Sequence, residues 1–334
     1  MNPPATRPRA VVLDGHPINP AGDNPWTELE KLVDLSVHPR TRADEVIARA
    51  AGASILLTNK TPLPRRVLEA LPELRFIPVL ATGYNVVDTE AAAERGIVVS
   101  NVPSYATETV AQHTFALLLE LCHRCGTHSE EVHAGAWGRA PDFCFWQYPL
   151  VELAGKRLGI IGYGRIGQRV AAMARAFGME VVYFSRHQPP GERGGETFVS
   201  WEEALAASDV ISLHCALTPE SQGCINRETL ARMKRSAFLV NTSRGALIDE
   251  PALREALEAE TIAGAALDVL STEPPAGGNP LLGAPRCLIT PHMAWTGVRA
   301  RRQLMAATVA NVRAFLAGEP ICRVTPSGAS GTGK

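Results

Sequence analysis

The chain has 334 residues, 46% of them apolar, and its 33 basic residues are balanced by 34 acidic ones. This length allows two hydrophobic cores, and the balanced charge gives no electrostatic reason to bind nucleic acid or an anionic membrane surface. Because no apolar run could span a bilayer, and because the run after Arg9 ends at Asp14, too soon for a signal peptide, we expect a cytoplasmic protein.

The first hundred residues alternate short apolar strands with amphipathic helices. Such alternation predicts a parallel sheet covered by helices. The predicted strands are 11–13, 54–58, 76–80 and 97–100, and the predicted helices are 26–33, 44–50, 65–71 and 89–95. The pattern breaks at 101–103, Asn-Val-Pro, and a long helix with one apolar face is predicted over 107–122, where it would connect two domains.

Cysteines and aromatic residues mark the next segment. The seven cysteines of the chain are scattered and odd in number, which favours reduced thiols over a disulfide framework. Cys122 and Cys125 form a CxxC with histidines nearby, but there is no second CxxC and no HExxH, so we expect no metal. Residues 135–150 read as a loop yet hold five aromatic side chains, which predicts a homodimer contact; packing on the loop's own chain is the alternative.

A glycine-rich turn lies at the centre of the chain. Residues 158–167, LGIIGYGRIG, read as a buried strand, a GxGxxG turn and the start of a helix that runs through Phe177. Gly162 allows a tight turn, Gly164 allows close approach of a pyrophosphate, and Gly167 allows the helix to pack on the strand, while Arg165 and Ile166 open that helix. Free N–H groups there would face the anion, so the turn predicts a dinucleotide site.

A second strand and helix series follows this turn. The further strands are predicted at 180–185, 209–214, 237–241, 264–269 and 287–290, with helices between them, notably at 250–259. A last long helix over 298–316 would return to the N-terminal domain. We therefore predict a discontinuous substrate domain of residues 1–103 and 297–326, a dinucleotide-binding domain of residues 104–296, a cleft between them, and a disordered tail over 327–334.

The end of the second strand of such a domain selects between NAD and NADP, because an acidic residue there repels a 2′-phosphate. Here the strand runs into Ser185, Arg186 and His187, with no carboxylate. Ser185 can donate to a phosphate oxygen and Arg186 offers a charged fork, so NADP(H) is predicted over NAD(H). The alternative is that Arg186 covers the adenine or points into solvent.

Three segments that follow strands each offer one ionisable group suited to reduction of a 2-keto acid: 241–245, 268–274 and 289–295. Arg244 can bind a carboxylate in a bidentate fork, His292 can donate a proton to the carbonyl oxygen, and Glu273 can orient the imidazole and favour its protonated form. Each residue taken singly is more often structural, and only their occurrence as a set favours catalysis.

These motifs, in this order, resemble the D-isomer-specific 2-hydroxyacid dehydrogenases. The likeness extends from about 56 to 316 and includes 81–88 and 101–103; segments 58–62 and 141–146 and Trp295 are most similar to the glycerate dehydrogenase and hydroxypyruvate reductase branch. The resemblance implies two Rossmann-like, doubly wound α/β domains, the substrate domain flavodoxin-like, and a dimer. It also implies reduction of hydroxypyruvate, and of glyoxylate, to D-glycerate and glycolate.

The resemblance further assigns roles to residues. Arg244, Glu273 and His292 match the catalytic residues, and backbone amides of Ala81, Thr82, Gly83 and Tyr84 would face the substrate carboxylate. The residues implied near the cofactor are Thr82, Thr109, Leu217, Thr242, Asp268 and His292. Of these, Asp268 would hold the nicotinamide carboxamide. Many relatives carry Asp at Ser185, so cofactor identity cannot be transferred. A dehydrogenase for 3-phosphoglycerate or another 2-keto acid, or a cofactor-sensing binding protein, remain the alternatives.

Overall fold

A computed structural model describes residues 7–186 and 195–325. The predicted contact of His187 and the predicted disorder of the tail lie outside these residues. The chain divides into two compact units, one of Met1–Ala106 with Thr296–Lys334 and the other of Thr107–Trp295. No helix in the described residues is both long enough and apolar enough to cross a membrane.

The first unit is built on a five-stranded parallel sheet in the order β2-β1-β3-β4-β5, which is the flavodoxin-like order. Its strands are β1 (Arg9–Val12), β2 (Asp34–Val37), β3 (Ile55–Leu57), β4 (Phe76–Pro78) and β5 (Val98–Ser100). Its helices are α1 (Thr27–Glu30), α2 (Val46–Ala50), α3 (Arg65–Glu69), α4 (Thr89–Glu94) and the C-terminal α11 (Val298–Leu316). The three central strands are buried at nearly every position, as a sheet covered on both faces requires.

Helix α11 belongs to this first unit although it lies at the other end of the sequence. Arg301, on its first turns, is buried and ion-paired with Asp23, and Phe315 near its end stacks on Phe76 of β4 with ring centroids 4.3 Å apart. Asn311 donates to the backbone carbonyl of Asn101. The first unit is therefore discontinuous in sequence.

The second unit has a seven-stranded parallel sheet in the order β12-β11-β10-β9-β6-β7-β8. The strands are β6 (Arg157–Ile161), β7 (Glu180–Phe184), β8 (Thr197–Phe198), β9 (Val210–Leu213), β10 (Phe238–Asn241), β11 (Gly264–Leu267) and β12 (Cys287–Ile289). The helices are α5 (Thr107–His123), α6 (Cys125–His133), α7 (Arg165–Ala176), α8 (Trp201–Ala207), α9 (Arg227–Arg232) and α10 (Glu250–Glu258). This is the doubly wound order of dinucleotide-binding sheets, so the predicted fold class is confirmed.

Side chains of these strands pack into two hydrophobic cores, one on each face of the sheet. Leu158 and Ile160 of β6 pack with residues of α5 and α7 on one face, whereas Ile161 and Ile211 pack with α8, α9 and α10 on the other. Because β6 and β9 are adjacent at the centre of the sheet, the strand order changes direction there. Open α/β sheets bind ligands at the carboxyl ends of the strands beside such a switch point.

Two edge strands and one helix were not predicted. Strand β2 carries mostly exposed residues and β8 has only two residues, so neither shows the apolar run that reveals a buried strand. The predicted helix over 26–33 is shortened to Thr27–Glu30 because the chain turns there to enter β2. Helix α6 has no buried residue, which is why its sequence lacks an apolar stripe.

Candidate active site

The glycine turn has the geometry that its sequence predicts. Gly162 has a φ of +96°, and a Cβ there would lie 2.6 Å from the backbone nitrogen of Cys215. A Cβ on Gly167 would lie 2.4 Å from the carbonyl oxygen of Gly162. Neither position therefore accepts a side chain without backbone movement.

Open space lies beside the second glycine of the motif. Among the described residues, its two chain neighbours apart, no atom lies within 4 Å of a Cβ built on Gly164, which is the N-cap of α7 and gives that helix no side-chain cap. The first N–H groups of a helix need partners from outside it, and those opening α7, at Arg165 and Ile166, are available to an anion. The residues present therefore fit a dinucleotide pyrophosphate.

The second strand of this unit, β7, leads into Ser185 and Arg186. Ser185 is half-buried, and the exposed guanidinium of Arg186 donates to Glu220 at 3.0 Å and to the hydroxyl of Thr218 at 2.9 Å. The pKa of the Glu220 carboxyl is lowered to about 2 by hydrogen bonds from Thr218, from its own backbone N–H and from Arg186. Arg186 is thus paired with a carboxylate of the loop after β9, a contact that the sequence did not predict. Leu217, a predicted cofactor residue on the same loop, is 40% exposed.

Segment 241–245 follows β10 in a tight, internally bonded turn. The buried Asn241 donates to the backbone carbonyl of Arg244 at 2.9 Å and accepts from the N–H of Ser243. Gly245 lies against the segment after β11, because a Cβ there would be 1.9 Å from the carbonyl carbon of Leu270. Arg244, half-buried, donates to the carbonyl of Ser243, and its other N–H groups have no partner among residues 7–186 and 195–325.

The imidazole of His292 and the carboxylate of Glu273 form a hydrogen-bonded pair with Nδ1 and Oε2 2.5 Å apart. The other oxygen of Glu273 accepts from the N–H of Leu270 at 2.9 Å, which fixes the carboxylate. The two side chains are 25% and 32% exposed, and Nε2 of His292 has no hydrogen-bond partner in the described part of the chain. A carboxylate accepts from Nδ1–H, so Nε2 is the atom that can exchange a proton with a substrate.

His292 itself has a φ of +52°, which is rare for a residue with a side chain. Its N–H donates to the backbone carbonyl of Asp268 at 2.8 Å, and the N–H groups of Met293 and Ala294 donate to the Asp268 carboxylate at 2.9 and 2.8 Å. The chain around His292 is therefore held in this conformation by one buried residue of the neighbouring strand end.

Two residues that the sequence analysis did not single out complete this network. Thr290 donates to Asp268 at 2.6 Å, and Nε2 of His113, on α5, lies 3.1 Å from the Thr290 hydroxyl and 3.4 Å from the carboxylate. Burial alone would raise the pKa of Asp268, but the hydrogen bonds from His113, Thr290 and the backbone keep that pKa below its ordinary value. Asp268, implied as a cofactor contact, thus accepts three hydrogen bonds from its own chain through its carboxylate.

The remaining predicted cofactor residues of this unit lie on or near α5. Thr242 follows β10 with its hydroxyl 3.2 Å from that of Thr114, and Thr109 is half-buried on the first turns of α5. The contact with Thr114 places the Thr242 hydroxyl beside α5. No contact in the described residues connects either of them directly to His292.

In the first unit, Ala81, Thr82, Gly83 and Tyr84 follow β4. The Thr82 hydroxyl donates to the carbonyl of Val102 at 2.8 Å, but none of the four backbone N–H groups donates to a protein acceptor within the ranges described. A row of free amides of this kind can bind an anion.

A surface formed by α6 and the loop after it carries the aromatic residues. Phe143 is 88% exposed, Trp146 64% and Trp137 54%, and the two tryptophans line a cleft of about 350 Å³. The CxxC lies close by, but Cys122 is buried, which raises its pKa to about 11. The described residues contain no group of three or more His, Cys, Asp or Glu side chains able to hold a metal ion.

Comparison with known proteins gives a consistent result. Residues 115–294 match the model of the D-isomer specific 2-hydroxyacid dehydrogenase NAD binding domain. The chain is 50% identical over 317 residues to a hydroxypyruvate reductase of Blautia hydrogenotrophica, covering 94% of this chain and 98% of the relative, and 43% identical over 279 residues to a glycerate dehydrogenase of Methylorubrum extorquens, covering 83% and 87%.

Among solved structures, an NADPH-dependent glyoxylate/hydroxypyruvate reductase from Sinorhizobium meliloti, in complex with NADP and malonate, superposes with a TM-score of 0.83 at 30% identity, covering 96% of this chain and 97% of that one. The resemblance read from the motifs is therefore confirmed across both units. The chain belongs to the D-isomer-specific 2-hydroxyacid dehydrogenase family, which consists of oxidoreductases acting on the CH–OH group of 2-hydroxy acids.

Proposed function

We propose that the protein reduces hydroxypyruvate, and also glyoxylate, to D-glycerate and glycolate with NADPH as the preferred reductant. The observation that carries the proposal is the His292–Glu273 pair, in which Glu273 occupies Nδ1 and leaves Nε2 available. The relatives named hydroxypyruvate reductase and glycerate dehydrogenase support this choice of substrate.

The residues divide the chemistry as follows. Arg244, with N–H groups that have no described partner, binds the substrate carboxylate. The free amides from Ala81 to Tyr84 of the first unit are proposed as substrate-binding donors as well. Protonated His292 donates from Nε2 to the carbonyl oxygen as that oxygen gains charge, and removes the proton in the reverse direction. Glu273 keeps the imidazole oriented through its hydrogen bond to Nδ1.

The cofactor belongs to the second unit, which we assign as the dinucleotide-binding domain, and the first unit is the substrate domain. When bound, NADPH supplies the hydride for the carbonyl carbon. Gly164 leaves room for its pyrophosphate, Gly162 and Gly167 allow the close packing of the turn, and the N-terminal amides of α7 would bind the pyrophosphate. Thr109, Leu217, Thr242 and Asp268 are retained as candidate contacts to the rest of the cofactor.

The preference for NADPH rests on two features beside β7. The strand ends without a carboxylate, and Arg186 offers a guanidinium at the position where a 2′-phosphate would bind. Ser185, also at this strand end, can add a hydroxyl donor to the phosphate. The S. meliloti structure, which binds NADP, supports the choice.

The protein is further proposed to act as a homodimer through the surface that carries Phe143 and Trp146. Side chains of this size that are more than half exposed are unusual on a monomer, and aromatic residues are enriched at subunit interfaces.

The proposed chemistry is tested with His292→Gln, which keeps a hydrogen-bonding side chain of similar size but cannot carry the proton. The expected result is a loss of roughly 10²- to 10⁴-fold in kcat with hydroxypyruvate, with an unchanged Kd for NADPH. His128→Gln, on α6, is the matched control and should retain wild-type kcat. Turnover near wild type in His292→Gln would refute the acid–base role.

The substrate is tested separately with a panel of 2-keto acids and both cofactors. The highest kcat/KM is expected for hydroxypyruvate with NADPH. A higher value with 3-phosphohydroxypyruvate would identify a phosphoglycerate dehydrogenase, and no oxidation of NADPH with any 2-keto acid would favour a cofactor-sensing protein.

A further inference from the structure

The pairing of Arg186 with Glu220 bears on how strongly the protein can distinguish the two nicotinamide cofactors. Arg186 is the one described cation at the end of β7, and two of its N–H groups are already committed, to Glu220 and to Thr218. Thr218 also donates to Glu220 at 2.7 Å, so each of the three side chains is hydrogen-bonded to the other two. A 2′-phosphate that approached Arg186 would find the Glu220 carboxylate already accepting the hydrogen bond that the phosphate needs from the guanidinium.

The loop that carries Glu220 is itself well fixed. Ser221 donates to the backbone carbonyl of Ala216 at 2.8 Å and accepts from the N–H of Thr218, also at 2.8 Å. This local hydrogen bonding holds Glu220 close to the end of β7. The carboxylate is therefore a persistent neighbour of Arg186.

The ion pair is also easily exchanged. Arg186 and Glu220 are 46% and 68% exposed, and ion pairs in such surroundings are weak because water and salt screen them. A phosphate dianion is a stronger partner for a guanidinium than one carboxylate, so it can displace Glu220, but it must do so beside a like charge. Glu220 thus opposes a phosphate without preventing its binding.

We propose that Glu220 is a specificity-determining residue that weakens the discrimination in favour of NADP(H) by competing with the 2′-phosphate for Arg186, so that the protein retains use of NAD(H). This inference rests on the proposed function, in that it takes Arg186 as the phosphate-binding residue. NAD(H), with only a ribose hydroxyl at that position, does not need Arg186 released. The carboxylate of Glu220 can instead remain paired when NAD(H) binds.

The test is direct binding of NADP⁺ and NAD⁺ to the full-length protein by calorimetry, without turnover, for wild type, Glu220→Gln, Arg186→Gln and the double variant. Glu220→Gln should lower the Kd for NADP⁺ about three- to tenfold and change the Kd for NAD⁺ by less than about twofold. In the Arg186→Gln background the same substitution should have little effect, because the group for which Glu220 competes is gone. Glu258→Gln, which breaks the similar exposed pair with Arg254 on α10, is the control and should change neither Kd.

The outcomes separate this inference from the proposed cofactor preference. If wild type binds NAD⁺ more tightly than NADP⁺, the preference for NADPH is wrong, but a selective gain for NADP⁺ in Glu220→Gln still supports the competition. If wild type prefers NADP⁺ and Glu220→Gln leaves the ratio of the two Kd values unchanged, the competition is refuted while the preference for NADPH stands. An equal gain in the Arg186→Gln background would also refute it, since Glu220 would then act without Arg186.

Discussion

Replacement of Asp268 by Asn should loosen the chain around His292. In the wild type, Oδ1 accepts from Thr290 and from the N–H of Met293, and Oδ2 accepts from the N–H of Ala294. An amide has only one oxygen, so in either orientation its NH₂ group faces a backbone N–H that has lost its acceptor. The side chain is 1% exposed, so water cannot replace the missing acceptor. We estimate a loss of about 2–4 kcal/mol in the free energy of unfolding, since a buried unsatisfied donor costs about 1–3 kcal/mol and a charged acceptor is lost as well.

The pH dependence of this effect follows from the lowered pKa of Asp268. Because the folded-state pKa lies below the unfolded-state value of about 3.9, the carboxylate contributes stability above that value and loses it as pH falls through the folded-state pKa. The difference in unfolding free energy between wild type and Asp268→Asn should therefore be largest at neutral pH and shrink below about pH 4. Urea titrations at several pH values measure it.

Kinetics distinguish the positioning role of Asp268 from a direct contact with the cofactor. If Asp268 holds His292 in its left-handed conformation, Asp268→Asn should lower kcat with hydroxypyruvate while the Kd for NADPH stays within about threefold. Asp249→Asn is the matched control, because Asn caps a helix as well as Asp does. Wild-type stability and kcat in Asp268→Asn would refute the network, and a large rise in the Kd alone would favour the nicotinamide contact.

Two further substitutions test other parts of the second unit. Gly245→Ala places a Cβ 1.9 Å from the carbonyl carbon of Leu270, so the segments that carry Arg244 and Glu273 must separate. Urea titration should show a loss of at least about 3 kcal/mol in the free energy of unfolding. A variant as stable as wild type would contradict the observed packing. Phe143→Ser removes the most exposed aromatic ring of the proposed dimer surface, and sedimentation equilibrium should show dissociation at concentrations where the wild type is dimeric; a monomeric wild type would refute the interface.

The sequence predicted the fold well where the strands are buried. Strands β6 and β9 to β11 are continuous apolar runs, and the chemistry-bearing residues follow strand ends, so position and type could both be read from the pattern. Strand β2 could not be read, because an edge strand with exposed residues resembles a loop.

The parts of the candidate site that were missed depend on contacts between distant residues. His113 is one of two histidines on a largely apolar helix, and its partner Thr290 is 177 positions away in the sequence. Likewise, the sequence presented Arg186 as an available cation, and only the structure shows Glu220 beside it. Hydrogen-bond partners across a fold leave no periodic signal in either segment, which is why such pairs need coordinates.

The strand order of the second unit has a practical consequence for redesign. Arg186 follows β7, whereas His292 follows β12, and five strand intervals of about 4.8 Å separate the two across the sheet. Substitutions so far apart usually act additively. Cofactor choice and proton transfer should therefore be adjustable one at a time, so that a library directed at residues 185, 186, 218 and 220 could alter the reductant that the protein uses while its acid–base pair remains intact.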